Sequence, residues 1–90
     1  SNCASLSVID LKAFDLQNVK DMSMMFNGCI ALRTIALRNP NVAKATDMNC
    51  MFYGCGNLAL DCSNWNVRPD AYRDRFNFAA PSVTMPRAWR

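Results

Sequence analysis

Five cysteines and seven carboxylates are the side chains of this sequence with the widest chemical reach. The cysteines are Cys3, Cys29, Cys50, Cys55 and Cys62; the carboxylates are all aspartates, and histidine is absent. Without histidine, Ser–His and Cys–His nucleophilic catalysis are excluded, and so is imidazole acid–base chemistry. Paired aspartates can do acid–base work, but Asp10 and Asp61 fall in extended stretches, and Asp21 and Asp47 open apolar runs where a carboxylate caps free N–H groups. Three glycines, each near a turn, cannot build a phosphate-binding loop. No enzymatic activity and no cofactor is expected. The cysteines admit a metal site, a disulfide framework or buried thiols. No C-x-x-C occurs. Cys3, Cys29 and Cys55 hold one position in three successive repeats. Strands stacked ~4.8 Å apart bring equivalent Cα atoms near the ~4.4–6.8 Å disulfide window. Stacked side chains point in parallel, however, which suits that bond poorly. Packing as small hydrophobes is the preferred reading, with no metal site.

The elements that position these residues come from repetition. Asp21-Met22-Ser23-Met24-Met25-Phe26-Asn27-Gly28-Cys29 returns as Asp47-Met48-Asn49-Cys50-Met51-Phe52-Tyr53-Gly54-Cys55, shifted by 26 positions. That period lies in the ~20–29 range of leucine-rich repeats. In the first half of each unit, Leu6, Ile9, Leu11 and Phe14 are matched by Leu32, Ile35, Leu37 and Pro40, an L-x-x-L-x-L spacing that predicts strands near Val8–Lys12 and Thr34–Arg38. In the second half, Val19, Met22, Phe26 and Cys29 are matched by Ala45, Met48, Phe52 and Cys55, the spacing of one helical face. Gly28 and Gly54 stand where such a helix must stop. Each unit therefore reads as strand, extended arm, short helix and tight turn, with Met22, Met25, Met48 and Met51 as core.

The third unit departs from the pattern. Leu58 to Trp65 aligns with the strand half after deletion of one residue, and Tyr72 and Phe76 stand in for the Met and Phe seats. The tail from Pro81 to Arg90, with two prolines, reads as extended. Degenerate terminal repeats close a stack, so residues 66–90 are read as a degenerate repeat and C-terminal cap, with Trp89 over the core. Residues 3–65 are the repeats, and residues 1–2 an expression remnant. Cys3-Ala4-Ser5-Leu6 matches the turn after Gly28, so the chain is expected to begin inside a repeat. Ninety residues make one domain at most. With 51% hydrophobic residues and a net charge of +3, the chain is neither disordered nor strongly polarised. No apolar run approaches the ~20 residues of a membrane span.

The run Ile9-Asp10-Leu11-Lys12-Ala13-Phe14-Asp15-Leu16-Gln17-Asn18-Val19-Lys20-Asp21-Met22-Ser23-Met24-Met25-Phe26-Asn27-Gly28-Cys29 resembles the 26-residue repeat of bacterial surface proteins, the BspA-like class of leucine-rich repeat. The resemblance covers roughly residues 3–65. It implies a curved solenoid with a parallel sheet on one face, in a secreted or cell-surface bacterial protein used for adhesion or protein contacts. It carries no catalytic set.

The fold expected is thus α/β, a leucine-rich-repeat solenoid of about three turns with a short parallel sheet and a C-terminal cap. The function expected is a non-enzymatic surface or secreted module for protein–protein interaction or adhesion. The alternative is a purely structural terminal module that caps or spaces a larger surface protein. The candidate protein-binding residues point outward from the strands: Val8, Asp10, Lys12, Thr34, Ala36, Arg38, Asp61 and Ser63. Their mixed charge, without interleaved aromatics, argues against nucleic acid. The expected partner is a protein, host or cell-surface proteins included, without membrane insertion. The cut repeat edge makes a homodimer an option.

Overall fold

The computed structural model describes residues 5–37 and 41–90. Strand β1 (Val8–Asp10) pairs in parallel with β2 (Thr34–Ala36), setting Val8 beside Thr34, Ile9 beside Ile35 and Asp10 beside Ala36. Strand β3 (Asn41–Val42) pairs in parallel with β4 (Asn66–Val67). Isolated parallel bridges join Asp21 to Asp47, Asp47 to Tyr72 and Leu60 to Val83. One 3-10 turn, Arg87–Trp89, ends the chain. The two strands expected from the leucine spacing form, each shorter than expected.

The α/β leucine-rich-repeat solenoid is not what the chain forms. Among the described residues there is no α-helix, and regular strand is limited to two small two-stranded parallel sheets. The helix fails where its pattern was strongest. Met24 and Cys50 take φ of 58° and 55°, and Gly28 and Gly54 take 76° and 78°, so a right-handed helix cannot run through either segment. The N–H groups of Met22, Met24, Phe26 and Gly28 donate instead to the carbonyls of Asp47, Asn49, Met51 and Tyr53, at 2.8–2.9 Å. Those of Met48, Cys50, Phe52 and Gly54 donate in the same way to Tyr72, Asp74, Phe76 and Phe78. Buried backbone groups must be paired, and here the neighbouring segment supplies the partners that an isolated two-turn helix lacks. Three rows result: 21–28, 47–54 and 72–79.

Asp21 and Asp47 do not cap helices. Each carboxylate accepts the N–H two residues on, from Ser23 at 2.9 Å and Asn49 at 3.0 Å, which is a local Asx turn. Ser23 Oγ also donates to Asp21, holding its carboxyl below the usual aspartate range.

The apolar seats fill the space between the extended halves and these rows. Leu32 and Leu58, Val42 and Val67, Met22 and Met48, and Cys29 and Cys55 are buried as equivalent pairs. Phe26 stacks on Phe52 at 5.5 Å; Phe52 meets Trp65 and Phe76 edge-on, and Phe76 meets Trp89 edge-on at 5.1 Å. Trp89 thus lies at one end of an aromatic column, its indole N–H donating to the Arg68 carbonyl at 2.9 Å. Tyr72 does not take a Met seat: it bridges to Asp47 and is 70% exposed. Phe76 is buried, and its carbonyl accepts from Phe52 as that of Met51 accepts from Phe26. The shift arises because the third row is reached after 25 positions, not 26.

Candidate functional site

The outward side of the strand half carries the candidate binding residues. Parallel pairing puts Val8 next to Thr34 and Asp10 next to Ala36. Val8, Asp10, Lys12 and Thr34 are exposed and Ala36 is half-buried. Arg38 lies outside the described residues. Asp10 turns its carboxylate back to accept the Lys12 N–H at 2.9 Å, which ends β1 and fixes the start of the following arm. Lys12 is left exposed, with no ion pair to a described residue.

Asp61 and Ser63 belong to the same side but stand in a different setting. The Asp61 carboxylate accepts the Ser63 N–H at 2.9 Å and the Thr84 hydroxyl at 2.8 Å. Hydrogen bonds from Ser63, then from Thr84, with a smaller charge effect from Arg87, bring its carboxyl down to about 2. The Ser63 carbonyl accepts the Arg87 N–H at 3.1 Å. The C-terminal segment therefore runs alongside residues 60–63 and engages them. It does not pass over Val8, Asp10, Lys12 or Thr34, which remain exposed. The described candidates divide into Val8, Asp10, Thr34 and Ala36 on β1 and β2 with Lys12 just after β1, and a pair, Asp61 and Ser63, tied to the tail.

Sequence reasoning missed Thr84, whose hydroxyl both donates to Asp61 and accepts the Cys62 N–H at 2.9 Å. It also missed Arg87, which donates to the Asn64 side chain at 2.9 Å. The tail reads in the sequence only as an extended segment with two prolines, so no motif marked these residues.

The cysteines occupy three environments. Cys55 is buried and its thiol donates to the Phe26 carbonyl at 3.0 Å; burial pushes its pKa up. Cys62 is buried, and burial, with the Asp61 charge second, pushes its thiol up to about 12. Cys50 is free and half-exposed. Cys29 is disulfide-bonded, which departs from the preferred reading of the core cysteines as buried free thiols. Among the described residues no three Cys or Asp side chains gather in a way that would hold a metal ion, and no pocket is formed. No helix among them is long and apolar enough to cross a membrane.

The match found among protein families is to the one described as "Mycoplasma protein of unknown function, DUF285", and it extends over residues 1–85. That finding overturns the resemblance to the BspA-like leucine-rich-repeat class, for which there is no family match. The leucine-rich-repeat and solenoid descriptions go with it. No curated protein and no solved structure matches the chain.

Proposed function

We propose a non-enzymatic protein-interaction role for this chain, which belongs to the DUF285 family, a family whose description states no activity. The observation that carries the proposal is the open side of β1 and β2. Val8, Asp10 and Thr34 are exposed on paired backbone, with Lys12 exposed just after β1, while the tail lies beside residues 60–63. A paired strand edge holds such side chains in fixed register, which suits recognition of a protein surface. The mixture of an apolar, an acidic, a basic and a hydroxyl group suits a protein better than a polyanion. A non-enzymatic role is supported by the absence of histidine from the sequence and by the use of Asp10, Asp21, Asp47 and Asp61 as local turn acceptors. A cell-surface or secreted setting is part of the proposal. The disulfide at Cys29 supports it, since such bonds persist in oxidising compartments.

The test uses fluorescently labelled chain on intact animal cells. A Lys12→Glu/Thr34→Glu variant that melts like the parent should lose most cell binding. Equal binding by parent and variant, or no binding by either, would remove the adhesion reading.

A second reading, a structural module closing a larger assembly, is favoured by the C-terminal segment. Val83 pairs with Leu60, and Trp89 covers Phe76. Under that reading Lys12 and Thr34 are solvated surface, and the same double variant changes neither binding nor stability.

A further inference from the structure

The three rows 21–28, 47–54 and 72–79 are joined by backbone hydrogen bonds that run in one sense at every second residue, while Tyr72 N–H donates back to the Thr46 carbonyl and Asp74 N–H to the Asn49 side chain. First-row N–H groups donate to second-row carbonyls, and second-row N–H groups donate to third-row carbonyls. The outermost rows are therefore left with opposite polarity. The first-row carbonyls of Asp21, Ser23, Met25 and Asn27 stand in the positions that accept in the later rows, and no described residue donates to them. The third-row N–H groups of Arg73, Arg75, Asn77 and Ala79 stand in the positions that donate in the earlier rows, and no described residue accepts from them. One edge offers four acceptors at two-residue spacing; the other offers four donors at the same spacing.

The apolar seats of the extended half show the same incompleteness at the first edge, although Met22, Phe26 and Cys29 of the first row itself are buried. Leu6 is 51% exposed, whereas its equivalents Leu32 and Leu58 are fully buried. Phe14 is exposed, whereas Trp65 is buried; Leu16 is half-buried, whereas Val42 and Val67 are buried. At the third-row edge the tail fills the corresponding place. Leu60 bridges to Val83 in parallel, as Ile9 pairs with Ile35, through Leu60 N–H to Ser82 at 3.0 Å and Thr84 N–H to Leu60 at 3.1 Å. Residues 82–84 thus sit where β1 of a following copy would lie.

Two first-row edges cannot pair well, because acceptors would meet acceptors. A first-row edge and a third-row edge are complementary, except that the tail stands in the way. We propose that the first-row edge is a docking surface for the third-row edge of a second copy of this chain, and that the tail holds the contact closed by occupying the second copy's place. Once the tail is displaced, Arg73, Arg75, Asn77 and Ala79 donate to Asp21, Ser23, Met25 and Asn27 of the next copy, and Leu6, Phe14 and Leu16 cover what the tail uncovered. A contact of this head-to-tail kind does not close on itself, so released copies form linear chains.

The test is sedimentation velocity across a wide concentration range, with the whole 90-residue chain throughout. The intact chain should remain a monomer. Two tail-released variants are compared with it. Val83→Asp/Trp89→Ser removes the tail's apolar anchors. Thr84→Ala/Arg87→Ala removes only its side-chain hydrogen bonds to Asp61, Cys62 and Asn64, leaving every buried side chain in place. A released variant that keeps its melting transition should sediment as species larger than one copy, growing with concentration. Adding Leu6→Lys/Phe14→Lys to it should restore the monomer. Excess intact chain, which has an open first edge and a closed third edge, should shorten the assemblies by terminating them. A folded released variant that stays monomeric overturns the proposal. So does an intact chain that associates as strongly as the variant, or assembly that survives the Leu6→Lys/Phe14→Lys change.

Discussion

Phe26 and Phe52 lie with their rings 5.5 Å apart and their planes within 9° of parallel, although 26 positions separate them. This stacking is a direct consequence of the repeat. The backbone hydrogen bond from Phe26 to Met51 sets the two rows in register, and the side chains of equivalent residues then leave the backbone side by side. Phe52 is the middle of the column, fully buried between Phe26, Trp65 and Phe76.

Phe52→Ala should therefore be among the most damaging single changes. It removes a buried ring and three aromatic contacts, and the surrounding rows cannot collapse without breaking their hydrogen bonds. The expected loss is about 3–5 kcal/mol, read from urea unfolding monitored by tryptophan fluorescence. A loss near 1 kcal/mol would mean that the column is not the centre of the core.

Gly28 tests the backbone description. It has φ of 76°, and a Cβ placed there would meet no atom within 4 Å, so space is not the obstacle. Gly28→Ala should still cost about 1 kcal/mol, because a side chain disfavours the left-handed region. Gly56→Ala is the control, since its Cβ would make only an ordinary 3.9 Å contact with the Ala79 carbonyl and its φ is not positive. That change should leave the melting temperature unchanged or raise it slightly. A Gly28→Ala protein as stable as the parent would argue that the segment can become helical.

Thiol reactivity separates the cysteine environments. Native protein at mildly alkaline pH should label at Cys50, which is half-exposed, and not at Cys55 or Cys62. Cys62 is doubly protected: it is buried, and its thiol is pushed up to about 12, so almost no thiolate is present. Mass spectrometry of peptides from labelled native protein gives the answer, and denatured protein should label at all three. Rapid native labelling of Cys62 would contradict the packing of residues 60–63 against the tail.

Asp61 supplies a pH dependence with a defined sign. Its carboxyl falls from an ordinary value of 3.8 to about 2 on folding, so the unfolded chain binds the proton more tightly. The stabilisation is fully present above the unfolded value and is lost as pH falls from about 4 towards about 2. Thermal unfolding followed by circular dichroism should show the midpoint falling through that window. Asp61→Asn should flatten this part of the profile, and Thr84→Val should flatten it partly, because Thr84 is one of the donors. An unchanged acid profile in Asp61→Asn would remove Asp61 as the link between the third row and the tail.

Several features of the fold were legible in the chain itself. The 26-residue recurrence placed Leu32 with Leu58, Met22 with Met48 and Phe26 with Phe52 as equivalent residues, and each of these six is buried. The L-x-x-L-x-L spacing located β1 and β2. The outward alternation in those strands picked out Val8, Asp10, Lys12 and Thr34, which are exposed. Periodicity is a property of sequence alone, and it brings side chains at one seat next to their equivalents in the neighbouring row, as Phe26 lies on Phe52.

The tertiary structure alone decided which backbone the second half of each unit adopts. Apolar residues spaced by three and four positions satisfy a helix, but they also satisfy a chain of turns in which Met24, Cys50, Gly28 and Gly54 turn left-handed. The choice depends on where the N–H groups of Met22, Met24, Phe26 and Gly28 find acceptors, and those acceptors lie in the next row. Likewise, no local pattern ties Thr84 and Arg87 to Asp61, Asn64 and Ser63. These partners are more than 20 positions apart, and only the path of the tail beside residues 60–63 brings them within hydrogen-bond reach.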